Sequence, residues 1–342
     1  MYVPGDRPER VTKALGSGAD VVVIDLEDAV APDRKEYARA ATAERLADPQ
    51  PVPVHVRVNA LDGPWAALDL KTLATLTGLS ALRLPKITSP AEIVEVAEAT
   101  TTSVTGPVTD AVTGSMSGPV TGSLADSVSD SATGSMTTGS VPGSATPSPA
   151  AGSLSGSVTA AGSPGGHPAP LTPTAAAGSR TPPLYALLES ALGIEHAYAI
   201  ATAHPALRGI SLGEADLRAD LGVSDDRGLD WPRSRVVLAA RAARLPPPPQ
   251  SVHPDTRDLA GLAATCAHGR ALGFLGRAAL HPRQLPVIER AYLPTEEEIE
   301  RARTVVDASG RTRGAQSLPD GTFVDEAVLR SARRTLSLAD RG

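Results

Sequence analysis

Two stretches, Leu184-Tyr185-Ala186-Leu187-Leu188-Glu189 and Gly209-Ile210-Ser211-Leu212-Gly213-Glu214-Ala215-Asp216, decide how the chain reads. Each is an apolar run of strand length that ends at a carboxylate, and a helix-like segment lies between them. In parallel βα architectures the chemistry sits where strands end and loops begin. Glu189 and Asp216, at the ends of consecutive strands, would then face one point. Two hard oxygen ligands there suit Mg2+ (or Mn2+), which takes one or two carboxylates and leaves its other positions to water and substrate. The alternative is that each acid caps the helix that follows it.

Upstream, the same grammar recurs. Residues 2–4 are a short apolar start, and Pro8 fits the first turn of a helix that Gly16 or Gly18 would end. Val21-Val22-Val23-Ile24 is a β-branched run of the kind buried on both faces. It ends in Asp25-Leu26-Glu27-Asp28, where so dense a cluster of acids at a strand end suggests outer support for a metal site rather than a solvated face. A helix over residues 34–46 leads to Val54-His55-Val56-Arg57-Val58-Asn59, whose arginine offers a planar fork to a substrate carboxylate or thioester oxygen, or else makes a surface ion pair. Ala81-Leu82-Arg83-Leu84-Pro85-Lys86 is a fourth strand with Lys86 at its end, followed by a helix over residues 89–98.

Downstream of Asp216, a helix over residues 233–244 gives way to four prolines, residues 246–249, and a seventh strand at Gln250-Ser251-Val252-His253. An eighth, Arg277-Ala278-Ala279-Leu280, ends at His281-Pro282, where the histidine is either a metal ligand or base or a structural residue. The lone Cys266 sits in an Ala-rich helical stretch and reads as a small buried thiol. Thr295 and Glu298 form a capping box for a helix to about residue 307. A turn at residues 319–322 precedes Phe323-Val324-Asp325 and a last helix.

From residue 101 to 178 the chain is mostly Ser, Thr, Gly, Ala, Pro and Val, with no Lys or Arg and only Asp110, Asp126 and Asp130 as acids. So few large apolar side chains cannot offset the entropy of ordering, and a disordered insertion over 100–179 is expected. Removing it leaves roughly 260 residues, the usual size of a (β/α)8 TIM barrel. Strand starts near residues 2, 21, 54, 81, 184, 209, 250 and 276 fit that topology, with the barrel over 1–99 and 180–290 and a C-terminal helical extension over 291–342. An open doubly wound sheet is disfavoured, because no Gly-x-Gly-x-x-Gly follows the first strand. The insertion falls on an αβ connection, opposite the catalytic mouth. Net charge of −6 and 3% aromatics argue against nucleic acid as a partner. No signal peptide or membrane span is legible, so a cytoplasmic protein is expected.

Taken together, Val3-Pro4-Gly5-Asp6-Arg7-Pro8-Glu9-Arg10, Asp25-Leu26-Glu27-Asp28-Ala29-Val30, Val56-Arg57-Val58-Asn59, Leu84-Pro85-Lys86, Leu187-Leu188-Glu189-Ser190, Asp216-Leu217-Arg218-Ala219-Asp220-Leu221-Gly222 and Ala278-Ala279-Leu280-His281-Pro282 resemble the HpcH/HpaI aldolase and citrate lyase β-subunit family, in its CitE-like branch of CoA ester lyases. The resemblance implies a Mg2+-dependent carbon–carbon lyase that cleaves or forms a 3-hydroxy-acyl-CoA such as malyl-CoA or citramalyl-CoA. The products of cleavage would be an acyl-CoA thioester and a 2-oxo acid. It implies Glu189 and Asp216 as metal ligands and Arg57 as the catalytic group on the substrate carboxyl or thioester oxygen; Lys86 is expected beside it in substrate binding, and Asp25, Glu27 and Asp28 behind them. It also implies that Asp325, in Gly321-Thr322-Phe323-Val324-Asp325, enters the active site of an adjacent subunit in a homotrimer or homohexamer. The chain departs from the family pattern in its low-complexity insertion, which has no counterpart, and in three motifs. Gly213-Glu214-Ala215-Asp216 replaces Gly-Ala-Glu-Asp, Asp255-Thr256-Arg257-Asp258 lacks the usual histidine, and Phe323 replaces a methionine. Other readings are a metal-dependent 2-oxo-acid aldolase, a malyl-CoA thioesterase, or a non-catalytic subunit of a citrate-lyase-like complex.

Overall fold

The structure, a computed structural model, describes residues 1–103, 179–311, 316–318 and 321–340. Its centre is a six-stranded, all-parallel sheet of β1 (Tyr2–Pro4), β2 (Val22–Asp25), β3 (Val54–Arg57), β4 (Ala81–Leu84), β5 (Leu184–Leu188) and β6 (Leu207–Leu212), in sequence order. Helices separate them: α1 (Pro8–Leu15), α2 (Lys35–Leu46), α3 (Ala66–Leu73), α4 (Pro90–Ala99), and the short α5 (Ala191–Glu195) and α6 (Ala197–Ala201). The expected βα alternation is therefore present through the sixth strand.

Strand chemistry explains both faces of the sheet. Ile24, Val56, Leu82, Leu84, Leu184, Leu188 and Ile210 are all at most 1% exposed and form one continuous core with helical residues such as Ala38, Leu73, Ile93 and Ile200. The opposite face carries one register row, Asp25, Arg57, Arg83, Tyr185 and Gly209, in which each residue pairs with the next. Residues level in a parallel sheet project to the same side, so this row is polar by construction. Gly209 leaves room for its neighbour, since a Cβ there would lie 2.8 Å from the Tyr185 ring.

The expected seventh strand is the main correction. Of residues 250–253 only Gln250 makes a ladder contact, a parallel bridge to Arg277. The reason is local: Pro246–Pro249 lack the N–H groups a strand would donate, and Pro254 ends the segment. Ser251 makes the contact to β6 with its side chain instead, donating to the Leu212 carbonyl and accepting from Glu214 N at 3.2 Å. The eighth segment joins its neighbours through main-chain bonds, from Ala278 N to Gln250 O at 3.0 Å and from Tyr2 N to Ala279 O at 2.8 Å. Past β6 come α7 (Glu214–Leu221), α8 (Asp230–Ala242), α9 (Leu259–Leu272) and α10 (Leu285–Tyr292). Cys266 is buried beneath α10 with Leu262, Phe274 and Ile288, and burial pushes its thiol pKa up, so it is a packing residue.

The C-terminal extension is α11 (Glu296–Arg311), a two-residue hairpin ladder and α12 (Glu326–Ala339). It has a small core of its own from Ala302, Val305, Leu318, Val324, Leu329 and Ala332. The Thr295–Glu298 capping box is present, with bonds of 2.8 and 3.2 Å. The low-complexity insertion lies outside the described residues. Its flanks do not: Thr102–Ser103 pairs antiparallel with Ser179–Arg180, and Thr101 Oγ1 meets Thr181 Oγ1 at 2.7 Å. These flanks lie between α4 and β5. No helix among the described residues is long and apolar enough to cross a membrane.

Candidate active site

The C-terminal ends of the strands open on a cavity of about 1000 Å³. Glu189, Asp216, Asp25, Asp28 and Arg57 line it, so five of the residues singled out from sequence converge on one space. Each gets there by a different local device.

Glu189 follows β5 directly and is 4% exposed. The helix-cap alternative for it is taken by its neighbour, because Ser190 Oγ accepts from Gly193 N at 3.2 Å at the start of α5. Glu189 Oε2 is buried with no hydrogen-bond partner. Burial, then the nearby Glu27 carboxylate, pushes its pKa up to about 8. A carboxylate so poorly satisfied is set for a cation or a proton. Asp216 sits in the first turn of α7, is exposed, and raises the Glu189 pKa as a like charge. Among the described residues no three His, Cys, Asp or Glu side chains are grouped tightly enough to hold a metal alone. Glu189 and Asp216 as a pair still fit Mg2+, which keeps several positions for water and ligand oxygens.

Gly213, the residue before α7, makes room for the Glu189 carboxylate. A Cβ there would lie 2.5 Å from Glu189 Oε1, while its N–H donates to Leu188 O at 3.0 Å. Gly213→Ala is therefore expected to turn the Glu189 carboxylate aside and weaken divalent-cation affinity by about tenfold or more without unfolding the protein. Mn2+ titration followed by electron paramagnetic resonance, with a melting curve alongside, checks this; unchanged affinity would show that Glu189 is not held through Gly213.

The acidic turn that begins at the last residue of β2 and the arginine that ends β3 form one unit. Asp25, 2% exposed, accepts Arg57 Nε at 2.8 Å and Nη2 at 2.6 Å, and also Glu27 N at 2.9 Å. Arg57 Nη1 donates to Asp28 at 3.1 Å and lies 2.7 Å from Glu27 Oε2, which has no hydrogen-bonding geometry of its own. Burial opposes the Arg57 charge, but the bonds to Asp25 outweigh it and hold the pKa above the ordinary arginine value. Burial pushes the Glu27 pKa up, with Arg57 and Lys86 pulling it back. Lys86, just past β4 with φ of +55°, gives its ammonium to Glu27 Oε1 at 2.8 Å, which raises the lysine pKa. Such a backbone conformation in a non-glycine residue is strained and is held in place by its surroundings. Lys86 is not among the residues lining the cavity; its bond is to the acids behind Arg57.

Asp325 is not among the lining residues either. It caps α12, accepting from Ala327 N and Val328 N, both at 2.9 Å. His281 caps the turn at Pro282–Gln284, with Nδ1 accepting from Arg283 N at 3.1 Å, and so takes the structural alternative.

Several lining residues were not singled out from sequence. Glu214, one residue ahead of the usual position, is held by Arg233 through bonds of 3.0 and 2.6 Å. Arg233 is 4% exposed and also bonds Asp226 at 2.8 Å, which draws the Asp226 pKa down to about 2. Arg83 projects from within β4. The signal was a charged residue inside an apolar strand, Leu82-Arg83-Leu84, which a sequence by itself assigns to neither face.

Comparison with known proteins identifies the family. The family model for HpcH/HpaI aldolase/citrate lyase matches residues 1–282. A citrate lyase subunit beta-like protein of Mycobacterium tuberculosis is 30% identical over 99% of this chain and 94% of its own length. A (3S)-malyl-CoA thioesterase of Cereibacter sphaeroides is 28% identical over 99% of this chain and 93% of its own. The crystal structure of CitE from M. tuberculosis, in complex with magnesium, acetoacetate and coenzyme A, superposes with a TM-score of 0.66 at 28% identity, covering 99% of this chain and 96% of that one. The chain belongs to the HpcH/HpaI aldolase/citrate lyase family, whose members are enzymes that break carbon–carbon bonds.

Proposed function

We propose that the protein is a Mg2+-dependent lyase that cleaves, or in reverse forms, a 3-hydroxy-acyl-CoA of the malyl-CoA or citramalyl-CoA type, giving an acyl-CoA and a 2-oxo acid. The observation that carries the reading is Glu189: a buried, unpartnered carboxylate in a large cavity, with Asp216 beside it and the Asp25–Arg57 pair among the lining residues. The magnesium, acetoacetate and coenzyme A bound by the M. tuberculosis CitE protein support the same ligand classes. The scaffold we infer is a closed (β/α)8 barrel; the bonds from Tyr2 to Ala279 and from Ala278 to Gln250 support closure.

In this reading Glu189 and Asp216 hold the Mg2+. The metal supplies Lewis-acid polarisation of the 2-oxo carbonyl and neutralises the acid's own charge. Arg57, held rigid by Asp25, uses its remaining N–H groups to steady the thioester oxygen as negative charge develops there. Asp28 and Glu27, with Lys86 between them, keep that guanidinium aimed. For bond formation Asp325 of a neighbouring copy removes the proton from the thioester α-carbon, and for cleavage it returns it. Phe323, 59% exposed two residues before Asp325, supports docking of this turn on another subunit of a homotrimer or homohexamer. Asp325→Asn keeps a good helix cap, so the variant is expected to fold normally yet lose about 100-fold or more in turnover. Mixing it with a Glu189→Gln variant should restore some activity through hybrid sites; no recovery in mixed oligomers would exclude a shared site.

The substrate assay offers malyl-CoA, citramalyl-CoA and β-methylmalyl-CoA, each with Mg2+ and with chelator, and follows CoA and 2-oxo acid separately. Chelator-sensitive release of acyl-CoA with a 2-oxo acid supports the lyase. Release of free CoA with a hydroxy acid would instead fit the thioesterase chemistry named for the C. sphaeroides relative. Silence on all three would remove the CoA-ester reading.

A further inference from the structure

The helix that carries Asp216 is held more by charge than by packing. Of the 8 residues of α7 only Leu217 is buried, and Gly222, with φ of +64°, ends the helix. A helix this short does not hold itself together in water, where roughly 12 residues or more are needed. Asp216 also has to stand near Glu189, a like charge. With no cation between them the two acids repel, and a helix anchored by one leucine would yield to that repulsion.

Three side-chain ties oppose it. At the first residue of α7, Glu214 accepts parallel bonds from Arg233, 3.0 Å from Nε and 2.6 Å from Nη2. The same guanidinium bonds Asp226 at 2.8 Å, and Asp226 accepts from Arg218 of α7 at 2.8 Å, so the next turn is tied to the same point. Arg233 is itself fixed: it is buried on α8, whose Val236, Ala239 and Ala240 belong to the main core. Near the other end of α7, Asp220 Oδ2 accepts from Ala191 N at 2.7 Å, two residues past Glu189. Asp216 and Asp220 are one turn apart and share a face of the helix. One acid of that face grips the backbone that carries Glu189, and the other is set beside the Glu189 carboxylate.

We propose that Arg233 and Asp220 are positioning residues for the metal pair, docking α7 at its two ends so that Asp216 stands beside Glu189 before a divalent cation arrives. The metal role of Glu189 and Asp216 rests on the function proposed above. The docking rests on the bonds at the two ends of α7. Neither residue needs to touch the ion, because their effect is to bring the two acids together when the protein folds rather than when the metal binds.

Mn2+ titration of the full chain, followed by electron paramagnetic resonance well below the melting temperature of every variant, tests this. Asp220→Ala and Arg233→Met should each weaken Mn2+ affinity by about tenfold or more. Asp220→Asn still offers Ala191 an acceptor and should stay within about threefold of the unmodified protein. Arg233→Lys, with the charge but not the fork, should fall between, and it carries the Arg233 arm where the methionine variant does not fold. In the ester assay the half-saturating Mg2+ of Asp220→Ala should rise by the same factor, while turnover at saturating Mg2+ returns to within about twofold. A residue that served folding alone would lower the melting temperature and leave the Mg2+ requirement where it was. Unchanged Mn2+ affinity in Asp220→Ala, or in the folded Arg233 variant, overturns the proposal, which needs both ends of α7. The two readings fail separately. Affinity that drops in the variants with no ester cleavage by any of the proteins keeps the docking and removes the lyase, and chelator-sensitive cleavage with affinity unmoved does the reverse.

Discussion

Glu189→Gln is expected to lower kcat/KM by about 10^4-fold or more, to abolish saturable Mn2+ binding, and at the same time to raise the melting temperature of the metal-free protein. The catalytic loss follows from removing one of the two carboxylates proposed to hold the metal, since Lewis-acid polarisation is worth several kcal/mol. The gain in stability follows from linkage. Burial and Glu27 hold the folded-state pKa of Glu189 at about 8, against 4.5 for an ordinary glutamate side chain. Between those two values the folded protein binds more protons at this site than the unfolded chain does, so stability falls as pH rises from about 4.5 through 8. Glutamine has the same shape and no proton to lose, so the variant should lack that decline. At pH 8 we expect it to melt a few degrees higher, each kcal/mol being worth about 2–4 °C in a protein of this size class. Saturating Mg2+ should raise the wild-type melting temperature and leave the variant unmoved. Melting curves from pH 5 to 9, with and without Mg2+, measure all of this. A variant that melts lower than wild type throughout would mean that Glu189 is structurally satisfied and is no ligand.

Strand ends were the most legible feature of the sequence because two constraints coincide there. Val21-Val22-Val23-Ile24 and Leu184-Tyr185-Ala186-Leu187-Leu188 must be strands to bury so many branched and apolar side chains, and a carboxylate immediately after them can only emerge at the strand's C-terminal edge. Glu189, Asp216, Asp25, Asp28 and Arg57 line one cavity for that reason. Pairing partners were less legible. Whether Arg57 serves a substrate or an ion pair depends on the register Asp25↔Arg57, which is a long-range fact. Arg83 and Tyr185 stayed hidden because a strand buried on both faces does not show which of its residues turn toward the cavity. The seventh strand failed for a local reason: a proline run supplies no donors, and a single serine hydroxyl bridges to the Leu212 carbonyl instead. The shift from Ala-Glu to Glu-Ala before Asp216 is answered by Arg233 on α8, nineteen residues further along, which no local pattern connects to it.

Substitution of Arg57 should cost the most stability of any single change at the site, and the comparison of leucine with lysine there separates charge from geometry. Arg57 is the counter-ion of Asp25 at 2.6 Å and of Glu27 at 2.7 Å, and those acids are 2% and 4% exposed. Removing one partner from a buried ionic cluster leaves the others uncompensated, a loss of about 3–5 kcal/mol. Arg57→Leu should therefore unfold several degrees earlier, and part of the loss should return at low pH, where Glu27, its pKa already pushed up by burial, can take up a proton. Lysine restores the charge but offers a single ammonium where arginine makes parallel bonds from Nε and Nη2. Arg57→Lys should thus recover most of the stability while kcat stays about 100-fold or more below wild type, because the donors left over for a developing oxyanion are no longer held in place. Denaturant melts at pH 5 and 8, with single-turnover kinetics on the best substrate, distinguish these terms. If lysine restored both stability and rate, a positive charge alone would be what the site requires, and the bidentate clamp on Asp25 would have no part in catalysis.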